Sequence, residues 1–488
     1  MSAQRPGILI LMSDEHRADL AGFAGNRVVR TPNLDELART GVVFANAYTP
    51  SPICVPARQC IMSGQLPRTC RCDGAWMDLA PGYHTYARRF AQYAYESVCA
   101  GKLHHIGTDQ MQGWTRRLCP DAEVHDKYRQ GLIREEYLAF KRDRLGGRKT
   151  NEDLVREARG QPGRHQRFDL RATEDAEDFV RSFFGGGRGD AGAASRRPVL
   201  LKLSLTQPHY PFFTERALFD YYYDRVPIFA DQPCEHAVLS QSQIEEPVRV
   251  TADEIRRATA AYYGMVETVD ACYGRLLGAL RGVGQDLDDW IIVFLSDHGE
   301  MLGEHGIWEK TRFYEGSVRV PLIIRWPRRF QGGRVVRENV SLCDLFATLC
   351  DLAGIPCQPG LDSRTLVPLM EGRAADWSGE VVSQIRRRGR DHVMIKRGDL
   401  KYQHYGPDVP EVLFDLAIDP GETRNLAADP AYGPAMADFR RRLGELGYGP
   451  QADPGYVNAG YDPGVPVAAA GTGTLWKADS NPWLEPCA

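Results

Sequence analysis

Ile8-Leu9-Ile10-Leu11-Met12-Ser13-Asp14 is the stretch on which the fold turns: an unbroken apolar run that closes on a hydroxyl and then a carboxylate. A strand with one face in water alternates apolar and polar residues. A continuous run of this length suits a strand buried on both faces, as in parallel sheets covered by helices. The run is too short for a membrane span or a signal-peptide core, and no small-residue cleavage site follows it. The same texture returns at Val199-Leu200-Leu201-Lys202-Leu203-Ser204-Leu205 and at Trp290-Ile291-Ile292-Val293-Phe294-Leu295, and Val42-Val43-Phe44 reads as a further strand. Pro32-Asn33 opens a helical pattern with Leu34, Leu37 and Ala38 on one face, and a long helical pattern over residues 253–280 precedes the last of these strands. Strands alternating with helices predict an α/β fold with a large, mostly parallel sheet covered on both faces.

A chain of 488 residues exceeds one ordinary core and is expected to divide. Residues 1–372 form the expected main domain. Within it, residues 112–195 read as a variable insertion: residues 112–169, rich in Arg and Lys and broken by Gly146-Gly147 and Gly160, are placed on the rim, partly helical, and a flexible loop starts at Gly185-Gly186-Gly187. Beyond Gly372, short strand candidates at 381–385, 392–396, 400–404 and 412–416 precede an amphipathic helix over 430–447. Residues 373–449 therefore read as a smaller α+β subdomain with an antiparallel sheet. Residues 450–488 are a Gly/Pro-rich tail carrying Trp476 and Trp483, either disordered or laid along a surface, that of a second subunit included. On this tail rests the expectation of a homo-oligomer.

Hydrophobic residues make up 43% and charged residues 25%, an ordinary globular balance. A net charge of -4 gives no global attraction to nucleic acid or an anionic membrane, and neither is expected as a partner. The twelve cysteines show no C-x-x-C spacing and read as reduced thiols, which with the N-terminus points to a cytoplasmic protein.

Cys54 is set apart by its neighbours, Pro52-Ile53-Cys54-Val55-Pro56-Ala57-Arg58. Pro56 favours a first helical turn, which places Cys54 at a helix N-terminus, where unpaired N–H groups attract anions. Arg58 stands one turn on along the same face. Asp14 follows the first strand directly, and Asp297-His298 follow the strand ending Leu295-Ser296. Sites in open parallel sheets collect at the carboxyl ends of strands. Two carboxylates and an imidazole there make a divalent-metal site.

Cys54-Val55-Pro56-Ala57-Arg58, followed by Met62-Ser63-Gly64, resembles the signature of the sulfatases and their phosphonate monoester hydrolase relatives in the alkaline phosphatase superfamily. The resemblance implies that residues 1–372 are the catalytic domain and that Cys54 is converted to formylglycine by a formylglycine-generating enzyme. The hydrated aldehyde would attack sulfur or phosphorus through one hydroxyl and expel the anion through the other. It also implies one divalent ion, manganese or calcium with zinc a further fit, held by Asp14, Asp297, His298 and the oxidised Cys54. Glu15 stands where relatives carry Asp or Gln, as a ligand or a hydrogen-bond acceptor. Gly101-Lys102-Leu103-His104, Pro208-His209-Tyr210-Pro211 and His305-Gly306-Ile307-Trp308-Glu309-Lys310 resemble further family elements. They imply that Lys102 and His104 contact the diol and the transferred anion, that His209 protonates the leaving oxygen and that Lys310 holds the anion. Leu413-Phe414-Asp415-Leu416 and Asp419-Pro420-Gly421-Glu422 resemble the C-terminal element. Where relatives carry an Asn after the nucleophile helix, this chain reads Arg71-Cys72-Asp73-Gly74-Ala75-Trp76.

The implied reaction is hydrolysis of a small anionic sulfate ester. The Asp-His pair resembles both the phosphonate monoester hydrolases and the choline sulfatases, and phosphonate monoester or phosphodiester hydrolysis is the alternative. A non-catalytic, metal-dependent carbohydrate-binding protein is a third. A choline head would need acidic and aromatic partners. The substrate-facing candidates, Arg116, Arg117, Arg386, Arg387, Arg388 and Arg390, are basic instead.

Overall fold

The computed structural model describes residues 5–75, 77–122, 151–185, 197–229, 249–387, 390–407, 409–448 and 476–477. Its centre is an eight-stranded sheet. The strands are β1 (Gly7–Ser13), β2 (Val42–Phe44), β3 (Glu96–Gly101), β4 (Arg116–Arg117), β5 (Val199–Ser204), β6 (Trp290–Ser296), β7 (Leu322–Arg325) and β8 (Arg334–Val336). Their order is β8-β2-β7-β6-β1-β5-β3-β4. Among these strands β7 alone runs against both neighbours.

The run that opened the sequence reading is the central strand. Its residues alternate between two cores, as a pleated strand requires. Ile8, Ile10 and Met12 join one layer with Cys60, Ile61, Phe346 and Leu349. Leu9 and Leu11 join the other with Leu37, Ala172, Val180, Val269 and Leu276. Helices α2 (Cys54–Ser63) and α5 (Leu345–Leu352) thus cover one face, and α1 (Pro32–Thr40), α3 (Arg164–Gly185) and α4 (Ala252–Gly282) the other. A capping box of Thr251 and Glu254 starts α4.

Helix α3 begins inside the stretch expected on the rim and runs beyond it. It buries Ala172, Ala176, Phe179 and Val180 against the sheet. Those four positions keep helical spacing, but Arg, Asp and Glu fill the turns between them and mask the stripe. Residues 123–150 and 186–196, with most of the expected Gly-rich loop, lie outside the described residues.

The C-terminal subdomain follows expectation. Strands β9 (Glu380–Arg387), β10 (Arg390–Arg397), β11 (Leu400–His404) and β12 (Val412–Asp415) form an antiparallel four-stranded sheet in sequence order. Helix α6 (Gly433–Glu445) packs on it, with Phe439 stacked on Tyr402 at 5.4 Å between ring centroids. The subdomain docks beside the nucleophile segment, where Gln384 N donates to Pro50 O at 2.9 Å. Of the tail, Trp476–Lys477 pairs antiparallel with Met77–Asp78; the rest lies outside the described residues. Among the described residues, no helix is long and apolar enough to cross a membrane.

Register sets the site. Ser13 lies level with Ser296, and Met12 and Gly101 both lie level with Ser204. Four chains therefore leave one edge of the sheet together, carrying Asp14, Asp297-His298, Lys102 and the segment to His209. This is the carboxyl edge of the parallel strands.

Candidate active site

Helix α2 begins at Cys54, after an Ile53 in extended conformation (φ -157°, ψ 141°). The helix N-terminus thus points Cys54 at the strand ends. Its Sγ lies 3.0 Å from His298 Nε2 and 3.7 Å from Asp14 Oδ1. His298 Nδ1 donates to Gly299 O at 3.0 Å, which leaves the lone pair on Nε2, the nitrogen turned toward the cluster. Asp14, Cys54, Asp297 and His298 each offer one ligand atom, all within 4.8 Å of one another. Two carboxylate oxygens, a neutral imidazole nitrogen and the Cys54 position make a donor set that fits one divalent cation. The sequence-predicted ligands are therefore brought together, with one distinction. Glu15 falls in a second group with Asp14 and His209, apart from Asp297 and His298. It accepts from Lys310 Nζ at 2.9 Å through Oε2, while its buried Oε1 has no protein donor among the described residues.

Arg58, one turn beyond Cys54, ties the carboxylates to the fold. Its Nε reaches Asp297 Oδ2 at 2.7 Å and its NH2 reaches Asp14 Oδ2 at 2.7 Å. Its NH1 donates to Lys102 O at 2.6 Å and to Ser204 Oγ at 2.8 Å. Lys102 Nζ lies 2.9 Å from Asp14 Oδ2 and 4.0 Å from Cys54 Sγ. Lys310 Nζ lies 2.9 Å from His209 Nε2, which is itself 3.4 Å from Glu15 Oε2. Asp14, Glu15 and Asp297 thus face Arg58, Lys102 and Lys310. Balance of that kind is required, because an uncompensated buried charge is strongly unfavourable.

The titration of these groups follows from the same contacts. Burial alone would raise the Asp14 carboxyl, but Lys102 and Arg58, helped by His209 and His298, hold it well below the usual carboxylate range. Burial works against the Lys310 ammonium, and Glu15 holds it well above the ordinary lysine value. His209 is pushed well down by burial and by Lys310 and Lys102. Its Nδ1 donates to Tyr210 O at 2.7 Å, so Nε2 is the nitrogen directed into the site.

His104 is buried beside Lys102, and its main chain is gripped from two sides. Its carbonyl accepts from Gln59 of α2 at 3.0 Å, and its N–H donates to Asp121 Oδ2 at 2.7 Å. Asp121 also takes Leu103 N–H at 3.1 Å and Arg117 NH2 at 3.0 Å. Arg117, read as facing substrate, is therefore engaged by a carboxylate, and Arg116 pairs with Glu96 at 2.6 Å on the sheet edge. Both sit on β4, where strand pairing fixes their direction. Arg388 and the side chain of Arg387 lie outside the described residues.

Sequence reasoning missed the buried carboxylates that hold the loops. Besides Asp121, Glu300 Oε1 accepts from Glu309 N at 2.6 Å and Leu302 N at 2.9 Å, bracing the turn before Lys310. Asp169 of α3 does the same for the segment before His209. From α4, Tyr262 OH donates to Glu15 O at 2.5 Å, where Glu15 takes a left-handed φ of 66°. Such residues bond to backbone amides, which carry no residue type and so leave no motif.

Comparison with known proteins agrees with this geometry. Residues 6–355 match the family model described as Sulfatase, and residues 303–448 match that of the N-sulphoglucosamine sulphohydrolase C-terminal region. The chain is 31% identical to a choline-sulfatase of Rhizobium meliloti over 88% of its own length and 84% of the relative's. It is 29% identical to an arylsulfatase of Clostridium perfringens, covering 90% of this chain and 93% of that one. Among solved structures, the phosphonate monoester hydrolase of Agrobacterium radiobacter superposes with a TM-score of 0.73 at 25% identity, over 91% of this chain and 95% of the other.

Proposed function

The chain belongs to the sulfatase family of sulfuric ester hydrolases, and from that membership we propose that it cleaves a small anionic sulfate ester through a formylglycine made from Cys54. The observation that carries the reading is the meeting of Cys54, at a helix N-terminus, with Lys102 and a buried Asp14-Asp297-His298 set.

Asp14, Asp297 and His298 would hold the divalent ion, manganese or calcium with zinc a further fit, with the oxidised Cys54 as a further ligand. Bound there, the ion polarises oxygen and neutralises charge on the transferred group. Once converted, Cys54 would supply a hydrated aldehyde, one hydroxyl to accept the sulfuryl group and a second, on deprotonation, to expel it as the aldehyde re-forms. The remaining work falls to the side chains around it. Lys102 and Lys310 face the equatorial oxygens, where negative charge concentrates, and need no reorganisation because Asp14 and Glu15 already hold them. His209 Nε2 accepts from Lys310 Nζ in the free site; an anionic ester that offsets Lys102 and Lys310 lets it take a second proton, which it gives to the leaving oxygen. Burial of Asp14, Glu15, Asp297 and His298 keeps water from competing for those contacts. His104, whose carbonyl is held by Gln59 of α2, contacts the diol and the transferred anion beside Lys102.

Phosphonate monoester or phosphodiester hydrolysis is the second reading. It is favoured by the Asp297-His298 pair and by the likeness to a phosphonate monoester hydrolase. A formylglycine-generating enzyme is the partner in maturation, the cytoplasm the proposed location and a homo-oligomer the proposed assembly.

Mass spectrometry of the Cys54 peptide, on protein co-produced with a formylglycine-generating enzyme, tests the nucleophile. The proposal requires replacement of the thiol by an aldehyde, and aryl sulfate turnover that rises with the converted fraction and vanishes in Cys54→Ala. Turnover by fully unconverted protein would overturn it.

A further inference from the structure

Asp169 sits on α3, and its side chain is fully buried. Its carboxylate is spent entirely on the chain that delivers His209. Oδ1 accepts from Thr206 N at 2.6 Å and from Thr206 Oγ1 at 2.8 Å, and Oδ2 accepts from Gln207 N at 2.8 Å. The other side of the same segment is tied to β1: Leu205 N donates to Met12 O at 2.8 Å and Asp14 N to Gln207 O at 3.4 Å. His209 N then closes a turn on Thr206 O at 3.0 Å. One helical turn before Asp169, His165 Nδ1 lies 3.2 Å from His209 O. The segment is clamped between β1 and the first turns of α3, and His209 Nε2 emerges 2.9 Å from Lys310 Nζ.

We propose that Asp169 is a positioning residue for the reaction, which through Thr206 and Gln207 sets His209 Nε2 where it can give its proton to the leaving oxygen. This rests on the role of His209 given above. The geometry selects a carboxylate over its amide, because both oxygens face main-chain donors. In Asp169→Asn the amide NH2 must stand against Gln207 N–H or Thr206 N–H, leaving a buried donor unpaired. Burial pushes the carboxyl up to about 7, and the three donors from Thr206 and Gln207 pull it down.

The test compares kcat and KM of mature Asp169→Asn, Thr206→Val and His209→Ala on aryl sulfates of increasing leaving-group pKa. A proton donor matters most for the poorest leaving groups. His209→Ala is expected to lose most on those and least on the most acidic phenols. Asp169→Asn is expected to repeat that trend, losing roughly 10- to 100-fold in kcat on the poorest leaving group and only a few-fold on the best, with KM little changed. Thr206→Val, which keeps the carboxylate and removes one donor, is expected to show a weaker version, and carries the test if Asp169→Asn does not fold. A uniform loss across the series, or none, in these variants while His209→Ala shows the trend overturns the role of Asp169 alone. Absence of the trend in His209→Ala overturns the assignment of His209 and the inference with it.

Discussion

Arg58 Nε stands 2.7 Å from Asp297 Oδ2, with neither side chain exposed to solvent. The same guanidinium holds Asp14, so one cation fixes the spacing of the two carboxylates. Removing one partner from a buried ion pair costs about 3–5 kcal/mol, because the other charge is left without compensation. Arg58→Ala is therefore expected to lower the melting temperature strongly. Arg58→Lys keeps the charge but not the fork and is expected to be intermediate. Thermal unfolding of the three proteins, with equal stability as the contradicting result, checks this.

Metal content separates the two acidic neighbours at the site. Asp297 lies within the four-donor group and Glu15 outside it. Asp297→Asn is expected to purify with little divalent metal, whereas Glu15→Gln keeps it and instead loses its hold on Lys310. Elemental analysis after dialysis decides, and metal loss in Glu15→Gln equal to that in Asp297→Asn would place Glu15 among the ligands.

Lys310 is predicted to act on the transition state. Lys310→Ala is expected to lower kcat by roughly 10²- to 10³-fold, the usual loss of one preorganised charge-stabilising donor. Steady-state kinetics on an aryl sulfate check the effect, and a change confined to KM would assign Lys310 to ground-state binding.

Lys202 gives a stability prediction with a defined sign. It lies buried in the middle of β5, and burial, with the nearby Arg58 guanidinium, pushes its ammonium down from 10.5 to about 7. Between those values the unfolded chain holds a proton that the folded chain does not, so wild-type stability falls as pH drops from 10.5 towards 7 and levels off below. Lys202→Met removes the penalty. It is expected to be more stable than wild type by a few kcal/mol near neutral pH, on the order of 1.4 kcal/mol per pKa unit, with the gain shrinking as pH rises. Denaturant unfolding across that range checks it. A gain that grows with pH would contradict it.

The parts that were legible in the sequence share a property: residue type alone identifies them. Ile8 to Met12 announces a doubly buried strand because no polar residue interrupts it, and Cys54 to Arg58 announces a helix start because Pro56 punctuates it. Asp14 and Asp297-His298 follow strands and so fall at one edge of the sheet. Asp169 and Asp121 were not legible, since their partners are amides of loops that the fold alone brings near. Arg117, a candidate to face substrate, pairs with Asp121 four residues on, a contact that the residue type alone does not announce. In α3, charged residues in the intervening turns conceal the buried stripe.

The central claim is sulfate ester hydrolysis at a converted Cys54, and the most direct measurement is kcat/KM for an aryl sulfate and an aryl phosphonate monoester, side by side, on mature protein supplied with manganese. The account predicts a clear preference for the sulfate, abolished in Cys54→Ala. A clear preference for the phosphonate would contradict the assigned reaction.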